Sequence, residues 1–159
     1  FIGEMKSNAV LKNIGFTNVK MSGTTYLTRT TNGTISNVYV QYKKIDVTSG
    51  QTLLARENAT VENIFVDASG AEIAGGSLYA ILGSRHANEN NYPVYGIVPQ
   101  GYVSYVDCGT NGYGHGFASA EALKSDSAAW SAVQAFAASC NFWHIDAETG
   151  AVTFGNSRG

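Results

Sequence analysis

Cysteine is scarce in this chain. Only Cys108 and Cys140 occur in 159 residues, so at most one disulfide can form within it. Charge is scarce as well, at 14% of residues with a formal net charge of −2, and no Lys/Arg cluster exists beyond Lys43-Lys44. Nucleic acid, which is held through basic patches, is therefore not an expected partner. No run of about 18 apolar residues is present, so no membrane insertion by a helix is expected. His86, His115, His144 and the two cysteines match no zinc-ligand spacing, and no metal site is expected from them. The glycine-rich stretch Gly109–Gly116 lacks the Gly-Lys-Ser/Thr of a phosphate loop and reads as a plain turn. What remains is a composition of Gly, Thr, Ser, Asn and Tyr that suits an all-β, turn-rich protein and not a disordered one.

The chain repeats itself. Leu11-Lys12-Asn13-Ile14-Gly15-Phe16 returns as Ile35-Ser36-Asn37-Val38-Tyr39-Val40 and again as Val61-Glu62-Asn63-Ile64-Phe65-Val66. Asn37 follows Asn13 by 24 residues, and Asn63 follows Asn37 by 26. A second marker keeps the same beat: Ser22-Gly23-Thr24-Thr25-Tyr26-Leu27-Thr28-Arg29 resembles Ser49-Gly50-Gln51-Thr52-Leu53-Leu54-Ala55-Arg56. Repeats of this length signify solenoids, propellers or arrays. Three apolar rows align: Leu11/Ile35/Val61, Ile14/Val38/Ile64 and Phe16/Val40/Val66. The last two rows are two residues apart, in strand phase, but the first two are three apart. The extra residue must be absorbed in a bend, and Asn tolerates the left-handed conformation better than any residue except Gly. Asn13, Asn37 and Asn63 are thus expected to turn the chain and to stack as a structural ladder of amides.

The expected fold is an all-β, right-handed parallel β-helix of about three to four coils, with a Greek-key sandwich as the alternative. The coils are assigned to residues 1–100. Residues 101–159 are assigned to a C-terminal cap of strand, helix and β-hairpin, packed with the coils as one unit. The cap's helix lies within Ser119–Cys140, with Ser125, Asp126 or Ser127 as N-cap and Trp130, Val133, Phe136, Ala137 and Cys140 on one apolar face. That face needs burial against the last coil or over its open end. Cys140 could reach Cys108 there as a disulfide, or both could remain buried thiols. Phe142–Asp146 and Ala151–Phe154 read as a hairpin around Ala147-Glu148-Thr149-Gly150.

The (Leu/Ile/Val)-x-Asn-(Val/Ile)-x-(Phe/Val) pattern with Ser-Gly turns, over about residues 1–82, resembles right-handed β-helix proteins of the pectate-lyase type. It is most similar to the coils of large secreted or surface repeat proteins of gut bacteria. The segment Phe142–Gly155 resembles the closing "W-x-I-D-x-x-T-G" phrase of the same proteins. The resemblance implies an extracellular or cell-surface location. It implies no single activity, because the fold hosts lyases, hydrolases, tailspikes and adhesins. The chain opens on Phe1-Ile2-Gly3, which reads as strand, so a piece of a longer polypeptide is expected, with upstream coils or domains of the parent chain as partners.

Chemistry would have to sit on outward positions. Lys20, Asp46 and Glu72 recur at steps of 26 and are expected in one stacked row. Asp46 and Glu72 on adjacent coils could act as a glycosidase pair or share calcium, the one cofactor considered, unless the row is simply a solvated charge ladder. Arg29 and Arg56 are aligned likewise and could bind acidic sugars or act as a lyase base. Tyr92, Tyr95, Tyr102, Tyr105 and Tyr113 are candidate glycan-stacking rings, or else core packing. The expected function is a non-catalytic module that binds glycans or a surface, or serves as an adhesive scaffold. The alternatives are a polysaccharide lyase or glycoside hydrolase fragment and a phage tailspike or fibre segment.

Overall fold

The computed structural model describes residues 2–23, 28–31, 33–47, 51–52, 60–75, 78–79, 94–97, 115–140 and 142–154. The protein is mostly β, with a parallel sheet and two helices. The strands are β1 (Ile2–Met5), β2 (Val10–Gly23), β3 (Thr28–Thr31), β4 (Thr34–Val47), β5 (Gln51–Thr52), β6 (Thr60–Asp67), β7 (Glu72–Gly75), β8 (Leu78–Tyr79), β9 (Val94–Ile97) and β10 (His115–Phe117). Helices α1 (Ala120–Ser125) and α2 (Ser127–Ser139) follow, and then the strands β11 (Trp143–Ile145) and β12 (Val152–Phe154).

The main sheet runs β10-β9-β6-β4-β2, with β7 pairing a second stretch of β4, and every pairing in it is parallel. The repeated hexamer sets the register. Leu11 lies opposite Ile35 and Ile35 opposite Val61; Ile14, Val38 and Ile64 form the next row; Phe16, Val40 and Val66 form the third. Ile35, Val38, Val40, Ile64 and Val66 are fully buried. β-branched side chains suit this pleated, packed surface. The spacing between paired residues is not constant. It is 24 along most of β2–β4, 26 from β4 to β6 and 28 from β4 to β7, as the pairs Lys20–Lys44, Thr34–Thr60 and Lys44–Glu72 define it. The extra residues between β6 and β7 fall in the turn after Asp67, where Ala71 N donates to Ala68 O and Asp67 Oδ1 accepts from both Ser69 N and Ser69 Oγ.

The hexamer's second-to-last position makes another row. Gly15, Tyr39, Phe65, Tyr95 and His115 stand opposite one another from β2 to β10. Alternation puts them on the face opposite the buried aliphatic rows. Tyr39 and Phe65 are nevertheless buried, because α2 and the β11–β12 hairpin cover them with Val133, Phe136, Ala137, Cys140 and Trp143. The helix-plus-hairpin unit therefore lies across this face of the sheet and not over the edge at β2. The reason is local: an outward row of rings on adjacent strands is apolar surface that must be covered.

The helix breaks once. Ser119 caps α1 through its side chain, which accepts from Ala122 N, and Asp126 ends α1 and caps α2 by accepting from Ala129 N. His115 and Gly116, expected within a turn, pair with β9 as strand together with Phe117. The hairpin pairs antiparallel, Trp143 with Phe154 and Ile145 with Val152.

Candidate functional site

Asn13, Asn37 and Asn63 have φ of 54°, 52° and 51°, in the left-handed region. Asn37 Nδ2 donates to Asn13 Oδ1 at 3.0 Å, and Asn63 Nδ2 donates to Asn37 Oδ1 at 3.1 Å. Each bond contributes about 1 kcal/mol net. The bend reorients the strand so that positions three apart face the same interior. Asn18 repeats the conformation in β2, with φ 54°. There Thr17 and Asn18 oppose Gln41 alone, a bulge that Lys43 in β4 compensates two residues later.

Position 46 shows how the outward charges fall. Lys20 pairs with Lys44, and Lys44 with Glu72; Asp46 lies between Ser22 and Ala74. The expected Lys20/Asp46/Glu72 row does not form: Glu72 stands opposite Lys44, and Asp46 lies diagonal to it, two residues along the same face. A constant step of 26 fails twice: β2–β4 partners stand 24 apart, and the two residues added in the turn after Asp67 leave Glu72 short of Asp46, opposite Lys44. Lys44 Nζ and Glu72 Oε1 make an ion pair at 3.1 Å, exposed on both sides. Glu72, with a smaller contribution from Asp46, holds the Lys44 ammonium protonated to higher pH than usual. Arg29 lies in β3, which pairs with β1. Arg56 lies outside the described residues. Among the described residues no three His, Cys, Asp or Glu side chains converge to hold a metal ion, and calcium has no such grouping there.

Of the candidate tyrosines, Tyr92, Tyr102, Tyr105 and Tyr113 lie outside the described residues. Tyr95 is half-buried, stacked on His115 at 4.9 Å and near Phe136 at 6.2 Å between ring centres. Burial, and then Asp126, push its hydroxyl pKa up. The larger aromatic cluster involves Tyr39 and Phe65. Tyr39 lies 5.3 Å from Trp143, 5.4 Å from Phe154 and 5.6 Å from Phe65, and Phe136 meets Trp143 edge-on at 5.5 Å. The Tyr39 hydroxyl makes a long bond of 3.5 Å to Asp67 Oδ2, and burial followed by that carboxylate strongly raises its pKa. Gly15 begins the row because Phe154 sits against it, where a Cβ would collide with the ring. A hydrophobic residue alternating out of phase with the buried rows was the signal for this cluster: Tyr39 and Phe65 hold an outward position yet are apolar.

Cys140 is buried and carries a free thiol, whose Sγ accepts from Phe142 N at 3.4 Å. It is packed in the cluster beneath α2; Cys108, its expected disulfide partner, lies outside the described residues. The hairpin turn is organised by Asp146, whose Oδ1 accepts from Thr149 N, Thr149 Oγ1 and Glu148 N. Those bonds, the Thr149 backbone first, hold its pKa below the usual carboxylate value. Gly150 closes the turn at φ 74°, and Lys124 from α1 donates to Glu148 O. A groove of about 300 Å³ runs between α2 and β11, lined by Gln134, Ala137, Ala138, His144 and Ile145. Comparison with protein-family models, curated proteins and solved structures finds no match to this chain.

Proposed function

We propose that this chain is a non-catalytic module of an extracellular bacterial protein, built as a right-handed parallel β-helix and serving as an adhesive or structural scaffold. One observation carries the reading: the repeated residues are spent on stacking. The Asn of each hexamer bonds to the Asn of the next, and its aliphatic rows close the interior. The outward aromatic row supports it too, since Tyr39 and Phe65 are roofed by α2 and the hairpin and not offered to a ligand. Asp46 and Glu72 are diagonal and not directly opposite, and Lys44 engages Glu72, which argues against a closely spaced retaining pair on the side face. The resemblance of the hexamers and of the closing segment to secreted repeat proteins supports the location.

The test is turnover of polygalacturonate, alginate and chondroitin by the purified chain. No turnover is expected. Cleavage of any one of them, abolished in Asp46→Ala, would overturn the reading in favour of the enzyme. A light-scattering mass of three chains would overturn it in favour of a viral fibre. Glycan binding is a second reading, favoured by the half-buried Tyr95–His115 stack at the β9–β10 end of the sheet. Retention on a glycan array that is lost in Tyr95→Ala is its expected signature.

A further inference from the structure

The β2 edge of the main sheet is open among the described residues. β2 is the last strand on that side among the described residues, and its outer backbone groups have no strand partner there. Its interior side chains are also less covered than their counterparts one coil on. Leu11, Ile14 and Phe16 are only half-buried, whereas Ile35, Val38 and Val40 in the same rows are completely buried. Val10 at the start of the strand is 58% exposed. Asn13 is held in the same left-handed bend as Asn37 and Asn63, although it stands last in the ladder. An open strand edge with apolar side chains beneath it is a template for another strand.

Charge says which strand. Lys12 and Lys20 are exposed on β2, and neither makes an ion pair among the described residues. On the covered side, Lys12 faces Ser36, and Lys20 faces Lys44, whose charge is already taken by Glu72. Neither lysine has a carboxylate directly opposite on the covered side, and each would gain one on the side that is open. The chain contains a strand pair with the matching chemistry. In the rows of Lys12 and Lys20, β6 and β7 carry Glu62 and Glu72, and in the row of Asn13 they carry Asn63. These strands are engaged inside this molecule, since β4 pairs both of them and β9 also pairs β6, so a second copy cannot lend them.

We infer that the β2 edge is a docking edge for a further coil of β6–β7 chemistry, added in parallel with an Asn opposite Asn13 and carboxylates opposite Lys12 and Lys20. The inference rests on the β-helix reading above and names the partner that this reading requires. Strand addition supplies the affinity through the backbone, and the Asn and the two carboxylates set register and direction.

The probe is a synthetic peptide of residues 60–75, added to the intact chain, with hydrogen exchange read over residues 10–23. Protection of β2 is expected. The same peptide with Asn63→Ala or with Glu62→Lys should bind about fivefold more weakly or worse, a loss of about 1 kcal/mol for one net bond. Equal binding by all three peptides, or no protection at millimolar peptide, would overturn the docking inference. Protection that arises without peptide and rises with protein concentration would overturn it in favour of a second copy. Through-space NMR contacts between Asn37 and Asn63 in the chain alone separate the two levels. If they are absent, the parallel stacking itself fails. If they are present and the peptide does not bind, only the docking edge fails.

Discussion

Asn37 is the position at which the architecture can be tested most sharply. It donates to Asn13 and accepts from Asn63, and its backbone is left-handed. Asn37→Ala removes two ladder bonds of about 1 kcal/mol each. It also forces a Cβ residue without a polar side chain into the left-handed region, which costs roughly 1 kcal/mol more. The expected loss is about 3 kcal/mol, a large part of the stability of a small domain. Asn37→Gly loses the same bonds, and relief of the left-handed strain that Asn itself bears offsets the greater freedom of the unfolded glycine, so it should cost about 2 kcal/mol. Asn63→Ala loses one bond and gains the strain, so it should also cost about 2 kcal/mol. Urea denaturation with matched m-values measures all three. The reasoning is refuted if Asn37→Ala is no worse than Asn63→Ala, for then the middle residue makes no second bond. It is refuted equally if Gly is no milder than Ala at position 37, for then the bend is not left-handed.

The remaining predictions concern the roof and its turn. Gly15→Ala should cost about 1–3 kcal/mol by overpacking against Phe154, and that cost should at least halve in a Phe154→Ala background, as a double-mutant cycle in urea will show. Trp143 is fully buried and its Nε1 has no hydrogen-bond partner among the described residues, so Trp143→Phe should stay within about 1.5 kcal/mol of the parent while Trp143→Ala loses about 3–5 kcal/mol by the same measurement. Asp146 has a folded pKa below its ordinary 3.8, so its contribution is complete above that value and fades as pH falls through the folded pKa. The Thr149 amide resonance should titrate with a midpoint below 3.8, and the titration should vanish in Asp146→Asn. Glu72→Gln should leave the denaturation midpoint unchanged, because the Lys44–Glu72 pair is exposed.

The parallel register was legible because the hexamer carries its own marker. Asn13, Asn37 and Asn63 fix the phase of each strand, and the three apolar rows follow from them residue by residue. The charged row was not legible by the same counting. The distance from Asn63 to Glu72 passes through a turn, and turns are where repeats differ in length, so a beat that holds within the hexamer does not carry to Glu72. The covering of the sheet's second face was within reach but required weighing Tyr39 and Phe65 as apolar residues at outward positions. With that, the apolar face of α2 has an obvious counterpart. The fate of Cys140 follows from the same packing. A helix face laid on a ring cluster buries its cysteine whether or not a second thiol is near.

The turn after Asp67 has a practical corollary. Partners across β2–β4, β4–β6 and β4–β7 stand mostly 24, 26 and 28 residues apart along the chain, yet the rows remain aligned. The strands thus behave as a fixed grid from which segments of different length hang. Ser69 and Gly70 lie at the exposed tip of one such segment, and a Cβ built on Gly70 would meet nothing within 4 Å. Doubling a flexible loop costs only about 0.6 kcal/mol in closure entropy. A foreign peptide spliced between these two residues would be held at a known height on a rigid wall, anchored on both sides by strands that pair with β4. That makes the tip an attachment point for cargo, available without disturbing a single rung.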